Sequence, residues 1–182
     1  MTVARKRNAL LDARAVERVL DRLAKEIVEF ARGSQGLALV GIQRRGVELA
    51  QRLARLIEER EGQKVATGAL DITLYRDDLE SIGPRPLVGA THLPGSLDGN
   101  CVVIVDDVLY TGRTVRAALD EVADFGRPAR VGLCVLIDRG GRELPIQADI
   151  VGKKISAAPG DRVDVFLSEV DGRDAVELVH GL

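Results

Sequence analysis

The alternation of apolar and polar positions along the chain predicts a repeating strand–helix pattern. Val16, Val19, Leu20, Leu23 and Ile27 recur at helical spacing and form one apolar stripe, with Asp12 placed to cap the helix start. The opposite face carries Arg14, Arg18, Arg22 and Lys25, interleaved with Glu17, Asp21 and Glu29. Gly33 to Gly36 interrupts the chain, and Leu37 to Gly41 then reads as a buried strand. Gly46 to Arg60 reads as a helix with Val47, Leu49, Ala50, Leu53, Leu56 and Ile57 apolar. A further strand is predicted over Leu70 to Leu74. Periodicity then dissolves from about 75 to 100, a stretch rich in Gly, Pro and Asp of the kind that often serves as a lid. Cys101 to Val105 reads as a strand and about Gly112 to Phe125 as a helix, with Val115, Ala118, Leu119 and Val122 inward. Gly126-Arg-Pro128 ends that helix, and Arg130 to Ile137 is again a strand. Shorter strands are predicted near Ile150–Val151 and over Arg162–Leu167, both in a small appended subdomain. Strand, helix, strand, helix, strand predicts an α/β domain with a mainly parallel central sheet and right-handed crossovers.

Length and composition narrow the picture. At 182 residues the chain suits a single domain, 1–182. The longest apolar runs fall far short of the ~20 residues of a membrane-spanning helix, and no secretory leader is legible, so a cytoplasmic protein without membrane contact is expected. Two cysteines, Cys101 and Cys134, each sit in an apolar run and read as buried hydrophobes; with His92 and His180 remote in sequence, a zinc site is not expected. A net charge of −2 means that any nucleic-acid binding must come from a local basic patch, and 3% aromatic residues argue against a base-stacking platform.

Ligands of open parallel sheets bind outside the carboxyl ends of the strands. After the central strand come Asp106 and Asp107, then Val108-Leu-Tyr-Thr-Gly-Arg-Thr114. A loop opening a helix presents free N–H groups and the positive end of the helix dipole to an anion. Thr111 and Thr114 add hydroxyls, and Gly112 allows close approach. The Gly-Lys-Ser/Thr ending of a Walker loop is absent. Two adjacent carboxylates ahead of a phosphate cradle suit the vicinal hydroxyls of a ribose and can take part in proton transfer.

The string Val102–Thr114 resembles the 5-phosphoribosyl diphosphate (PRPP) signature of type I phosphoribosyltransferases. Three segments, Asp71–Leu79, Asp106–Arg116 and Leu136–Asp149, resemble one branch, the pyrimidine-operon attenuation proteins that are also uracil phosphoribosyltransferases. The resemblance implies the type I fold, with a flexible loop at about 75–100 and a small hood from about 140–170. It implies that Asp106 and Asp107 are the catalytic pair on the ribose hydroxyls. Val108, Leu109, Tyr110, Thr111, Gly112, Arg113 and Thr114 would cradle the 5-phosphate. Arg44 and Arg45, in Gly41-Ile-Gln-Arg-Arg-Gly46, would bind diphosphate together with Arg76, and Arg139 and Val163 would approach the nucleotide or base. No protein cage for a metal is implied; Mg²⁺ would enter with PRPP.

The implied activity is uracil plus PRPP giving UMP and diphosphate, joined to UMP- or UTP-dependent binding of pyrimidine-operon leader RNA. Arg14, Arg18, Arg22, Lys25, Arg142, Lys153 and Lys154 are the basic residues that would serve the RNA, in a homodimer or larger assembly. The chain departs from the branch at Gly141, where histidine is usual, at Gln147, where arginine is usual, at Gln43-Arg44, where Lys-Thr is usual, and over Gly152–Ala158. The losses at 141 and 147 bear on RNA, and the changes at 156–158 on the base. Two other readings remain open: an RNA-binding nucleotide sensor with little catalysis, and a phosphoribosyltransferase for another base.

Overall fold

The computed structural model describes residues 6–72 and 91–181. In chain order the elements are β1 (Arg7–Leu11), α1 (Ala13–Ala31), β2 (Leu37–Ile42), α2 (Arg45–Glu61), β3 (Ala66–Leu70), β4 (Cys101–Leu109), α3 (Arg113–Phe125), β5 (Arg130–Asp138), β6 (Ile150–Lys154), β7 (Arg162–Phe166), α4 (Ser168–Asp171) and β8 (Ala175–Val179). A five-stranded parallel sheet has the order β3-β2-β4-β5-β6. A separate three-stranded antiparallel sheet, β1-β8-β7, forms the hood.

The central strands are apolar on both faces because both are covered. Leu39, Val103, Val105, Cys134 and Leu136 point to the side packed by Leu20, Leu23 and Ile27 of α1 and Leu49, Leu53 and Ile57 of α2. Val40, Ile42, Val102, Ile104 and Val135 point the other way, against Val115, Ala118 and Val122 of α3. Each buried Val, Leu or Ile contributes about 1.5–3 kcal/mol. Asp12 caps α1 as expected, its carboxylate accepting the Ala15 N–H at 2.7 Å. Burial pushes the Cys134 thiol up to about 12, which keeps it an inert hydrophobe.

Several elements depart from the pattern reading. The strand expected over Leu70–Leu74 lies earlier, at Ala66–Leu70. Gly68 masks it: a side chain there would meet the His92 carbonyl and Pro94, and that contact replaces the usual apolar side chain. Leu119, expected inward, is exposed, while Ala117 and Glu121 are buried on α3. Ile150–Lys154, expected in the hood, is the edge strand of the main sheet. The hood instead takes in β1 from the N-terminus and β8 beyond residue 170.

The sheet order fixes where a ligand would sit. From β2 the chain winds outward to β3, then returns to place β4 on the other flank of β2. The topological switch point therefore lies between β2 and β4, and the crevice is at their carboxyl ends.

Candidate functional site

The two loops at the switch point are in direct contact. A Cβ on Gly46 would lie 2.5 Å from the Val105 carbonyl oxygen and 3.4 Å from the Asp106 Cα. A Cβ on Gly41 would lie 2.3 Å from the Gly46 carbonyl oxygen. Only glycine allows the β2–α2 turn to fold this tightly onto β4. The Gln43–Arg44 peptide within the turn is cis.

Asp106 and Asp107 lie in the second half of β4. Asp106 is buried, and its Oδ1 accepts the Asp107 N–H at 2.9 Å; Asp107 is half-buried, and its Oδ1 accepts the Val108 N–H at 2.8 Å. Burial, reinforced by the neighbouring Asp107 charge, holds the Asp106 carboxyl well above the usual carboxylate range. Gly112, at φ 94°, starts α3 without a side-chain cap, and the Arg113 N–H reaches Thr111 Oγ1 at 3.4 Å. The helix start thus faces the crevice with backbone donors.

The segment after β5 braces this loop. Thr111 O accepts the N–H groups of Glu143 and Leu144 at 2.9 and 3.1 Å, and Leu109 O accepts that of Arg139 at 3.1 Å. Ile146 and Leu144 fill the space a side chain at Gly112 would need. Arg113 Nε donates to Glu143 at 2.8 Å. The two sequence strings that flag this region are therefore one structural unit, a loop and its buttress.

Of the residues expected on the diphosphate, Arg44 is exposed and forms no side-chain bond among the described residues, whereas Arg45 pairs with Asp171 of α4 at 2.8 Å. Arg76 lies outside the described residues, as does most of the stretch expected to be a flexible loop. Arg139 is buried, donates to the Asp161 carbonyl at 2.7 Å and lies over the Tyr110 ring. Val163 is a half-buried hood residue packed against the core. Thr114 is exposed on the first turn of α3.

The basic residues expected to serve RNA divide sharply. Arg14 and Arg18 are exposed on α1. Arg22 pairs with Glu26 and donates to the Val151 and Gly152 carbonyls; Lys25 pairs with Asp21. Lys153 donates to the Leu10 carbonyl at 3.1 Å, and Lys154 is exposed. Arg142 is internal to the buttress, binding Asp138 Oδ2 at 2.6 Å, the Ile146 carbonyl at 2.8 Å and the Tyr110 carbonyl at 2.9 Å. A cleft of about 750 Å³ at the ends of β5 and β6 is lined by Asp138, Arg142, Gln147, Lys154 and Ser156 among others. Asp171 carries no local sequence signal; it acquires its role from Arg45, a partner brought by the fold.

Comparison with known proteins identifies the family. The phosphoribosyl transferase domain family matches residues 6–169. The Bifunctional protein PyrR of Thermus aquaticus is 57% identical over 169 residues, covering 93% of each chain. That of Pelotomaculum thermopropionicum is 52% identical over 177 residues, covering 97% of this chain and 98% of the relative. Among solved structures, a hypoxanthine phosphoribosyltransferase from Trypanosoma cruzi superposes with a TM-score of 0.75 at 21% identity, covering 97% of this chain and 96% of that one, a likeness of fold. The chain belongs to the phosphoribosyl transferase domain family and, within it, to the bifunctional PyrR proteins.

Proposed function

We propose that the protein transfers the phosphoribosyl group of PRPP to uracil, giving UMP and diphosphate, and that it also binds pyrimidine-operon leader RNA in a nucleotide-dependent way. The observation that carries the catalytic half is the contact at the switch point: Gly46 of one loop sits against Val105 and Asp106 of the other. A molecule with an anion at each end and a ribose between them fits that arrangement. The carboxylates of Asp106 and Asp107 accept the ribose hydroxyls. Val108 and Leu109 belong to β4, with the Val108 N–H held by Asp107, so the N–H groups of 110–114 and the hydroxyls of Thr111 and Thr114 take the 5-phosphate. Arg44 and Arg45 face the leaving diphosphate, the forked donors suiting its oxygens.

Reaction breaks the C1′–O bond to diphosphate and forms the bond to the base nitrogen. The protein's tasks are to neutralise the leaving group, align the base and exclude water. A divalent ion fits as a companion of the substrate: two adjacent carboxylates beside the ribose position offer hard oxygen donors, and Mg²⁺ prefers to share such donors with phosphates. When bound it would neutralise charge on the diphosphate. Arg139, stacked on Tyr110 of the proposed phosphate loop, and Val163 of the hood would approach the nucleotide or its base.

The RNA half is supported by the exposed Arg14 and Arg18 on α1 and by the PyrR relatives. Contacts to phosphates there would be salt-dependent, with specificity from shape and unpaired bases. A homodimer or larger assembly, acting in the cytoplasm, would extend this basic surface across copies.

The test is a product assay with Mg²⁺, PRPP and, separately, uracil, hypoxanthine and orotate, following nucleotide by chromatography. UMP from uracil alone is expected. Product from another base would reassign the substrate, and no product from any base would leave the RNA-binding sensor as the better account.

A further inference from the structure

Helix α2 starts in the diphosphate loop, and its Arg45 and Arg52 both reach the segment of the hood around α4. Arg52 is largely buried and binds Glu169 Oε1 through Nε at 2.9 Å, Asp174 Oδ2 through Nη1 at 2.9 Å and Ser168 Oγ through Nη2 at 2.8 Å. Its task is wholly internal. Arg45, the first residue of the helix, is bound differently. Its Nε donates to Asp171 Oδ2 at 3.2 Å and its Nη2 to Asp171 Oδ1 at 2.8 Å. Those two atoms form one edge of the guanidinium. The other edge, ending in Nη1, makes no bond among the described residues.

We infer that Asp171 is the positioning residue of the diphosphate loop: it holds one edge of Arg45 so that the other edge is presented, already oriented, to the diphosphate of PRPP. Arginine suits this because it has two forks in one rigid plane, and lysine has none. Asp171 is itself held, since its Oδ2 also accepts the Leu167 N–H at 2.9 Å. The Arg45 guanidinium keeps the Asp171 carboxyl below the usual carboxylate range, so the grip persists at neutral pH. An arginine free on a loop would lose rotamer freedom on binding; one already held loses less. Arg44, the residue before it, is exposed and has no such holder among the described residues, and it is the adaptable partner of the fixed Arg45.

This inference rests on the proposed PRPP chemistry and concerns one residue within it. The experiment compares Asp171→Asn, Asp171→Glu and Asp174→Asn by initial rates against PRPP at saturating uracil, with calorimetric binding of Mg²⁺–PRPP and thermal melts. Asp174→Asn loosens the same hood segment through Arg52 and leaves Arg45 alone, so it reports a merely structural effect. The expected result is a KM for PRPP raised about tenfold by Asp171→Asn with kcat within about twofold, partly recovered in Asp171→Glu. Asp174→Asn should lower the melting temperature with KM unmoved. Should Asp171→Asn not fold, Arg45→Lys, which keeps the charge and loses the second fork, should give the same rise in KM. An unchanged or lowered KM in Asp171→Asn, or equal shifts in Asp171→Asn and Asp174→Asn, would overturn the inference while leaving the reaction intact. A wild-type protein that binds no Mg²⁺–PRPP would overturn both.

Discussion

The guanidinium of Arg139 lies over the Tyr110 ring, 3.8 Å from its centroid, and the same ring closes off the space above Gly141. A Cβ at Gly141 would fall 2.5 Å from the ring's Cε2, and Gly141 has φ 80°. The 108–114 segment, Arg139 and the buttress therefore meet at one aromatic ring, and Gly141 is the residue that admits it. Gly141→Ala should destabilise the protein by about 1–2 kcal/mol, combining the left-handed backbone cost with loss of the cation–π stack. Chemical denaturation measures this. Adding Tyr110→Ala should remove the steric part, so the double variant should be less destabilised than the sum of the singles.

Gly46→Ala attacks the contact between the two loops. The obstacle is the Val105 carbonyl at 2.5 Å, a backbone atom of the central strand, so relief requires the β2–α2 turn to move. A loss of about 1–3 kcal/mol is expected, together with a sharp rise in KM for PRPP. A variant with normal PRPP kinetics would show that the loops need not touch.

Much of this site was legible before the fold. The apolar run into Asp106, the Thr and Gly positions after it and the onset of helical spacing are all local, so strand, anion loop and helix could be read in sequence order. The hood was not, because Arg7–Leu11 pairs with Ala175–Val179 from the far end of the chain, and neither segment alternates cleanly enough to announce a strand. Arg45 and Asp171 lie 126 positions apart, and no local pattern links an arginine to a carboxylate at that distance. Arg142 shows the converse: as a charged residue in a polar stretch it resembled free surface, and only the fold reveals three oxygens around it.

Asp106 should trade stability for function. Burial and the Asp107 charge raise its pKa in the folded protein, so the fold favours the protonated form. Stability contributed this way is complete below the unfolded value near 3.8 and is lost as pH rises through the folded value. Asp106→Asn has no proton to lose and keeps an oxygen for the Asp107 N–H. Its melting temperature should exceed that of the wild type by a margin that grows as pH rises above the unfolded value near 3.8, while kcat/KM for PRPP falls about 10–100-fold. A constant margin would mean that ionisation of Asp106 is not what the fold resists.

The Arg52 cluster has the opposite sign. Hydrogen bonding to Arg52 lowers the pKa of Glu169 and Asp174 below 4.5 and 3.8 respectively. Their contribution is present above those unfolded values and is lost as pH falls through the lower folded ones. Arg52→Met should cost about 1–2 kcal/mol at pH 7, discounted for the partial exposure of Glu169, and should flatten the acid limb of the stability profile below about pH 4.5. Denaturation midpoints from pH 3 to 7 for both proteins would show whether the two curves converge on acidification.

RNA binding, finally, should separate cations that are exposed from cations that are already engaged. Arg14 and Arg18 are exposed on α1, whereas Arg142 is bound to Asp138, Ile146 and Tyr110. A phosphate contact releases counterions, so removing one should lower the slope of log affinity against log salt by about 1. Arg14→Ala and Arg18→Ala should each show this against leader RNA with UMP present, at unchanged melting temperature. Arg142→Ala should instead lower the melting temperature and impair PRPP kinetics, since Thr111 and Gly112 lean on the segment it braces. If Arg142→Ala changed the salt slope and left folding and catalysis alone, the guanidinium would have to leave its internal partners for the RNA, and the buttress would be a switch rather than a brace.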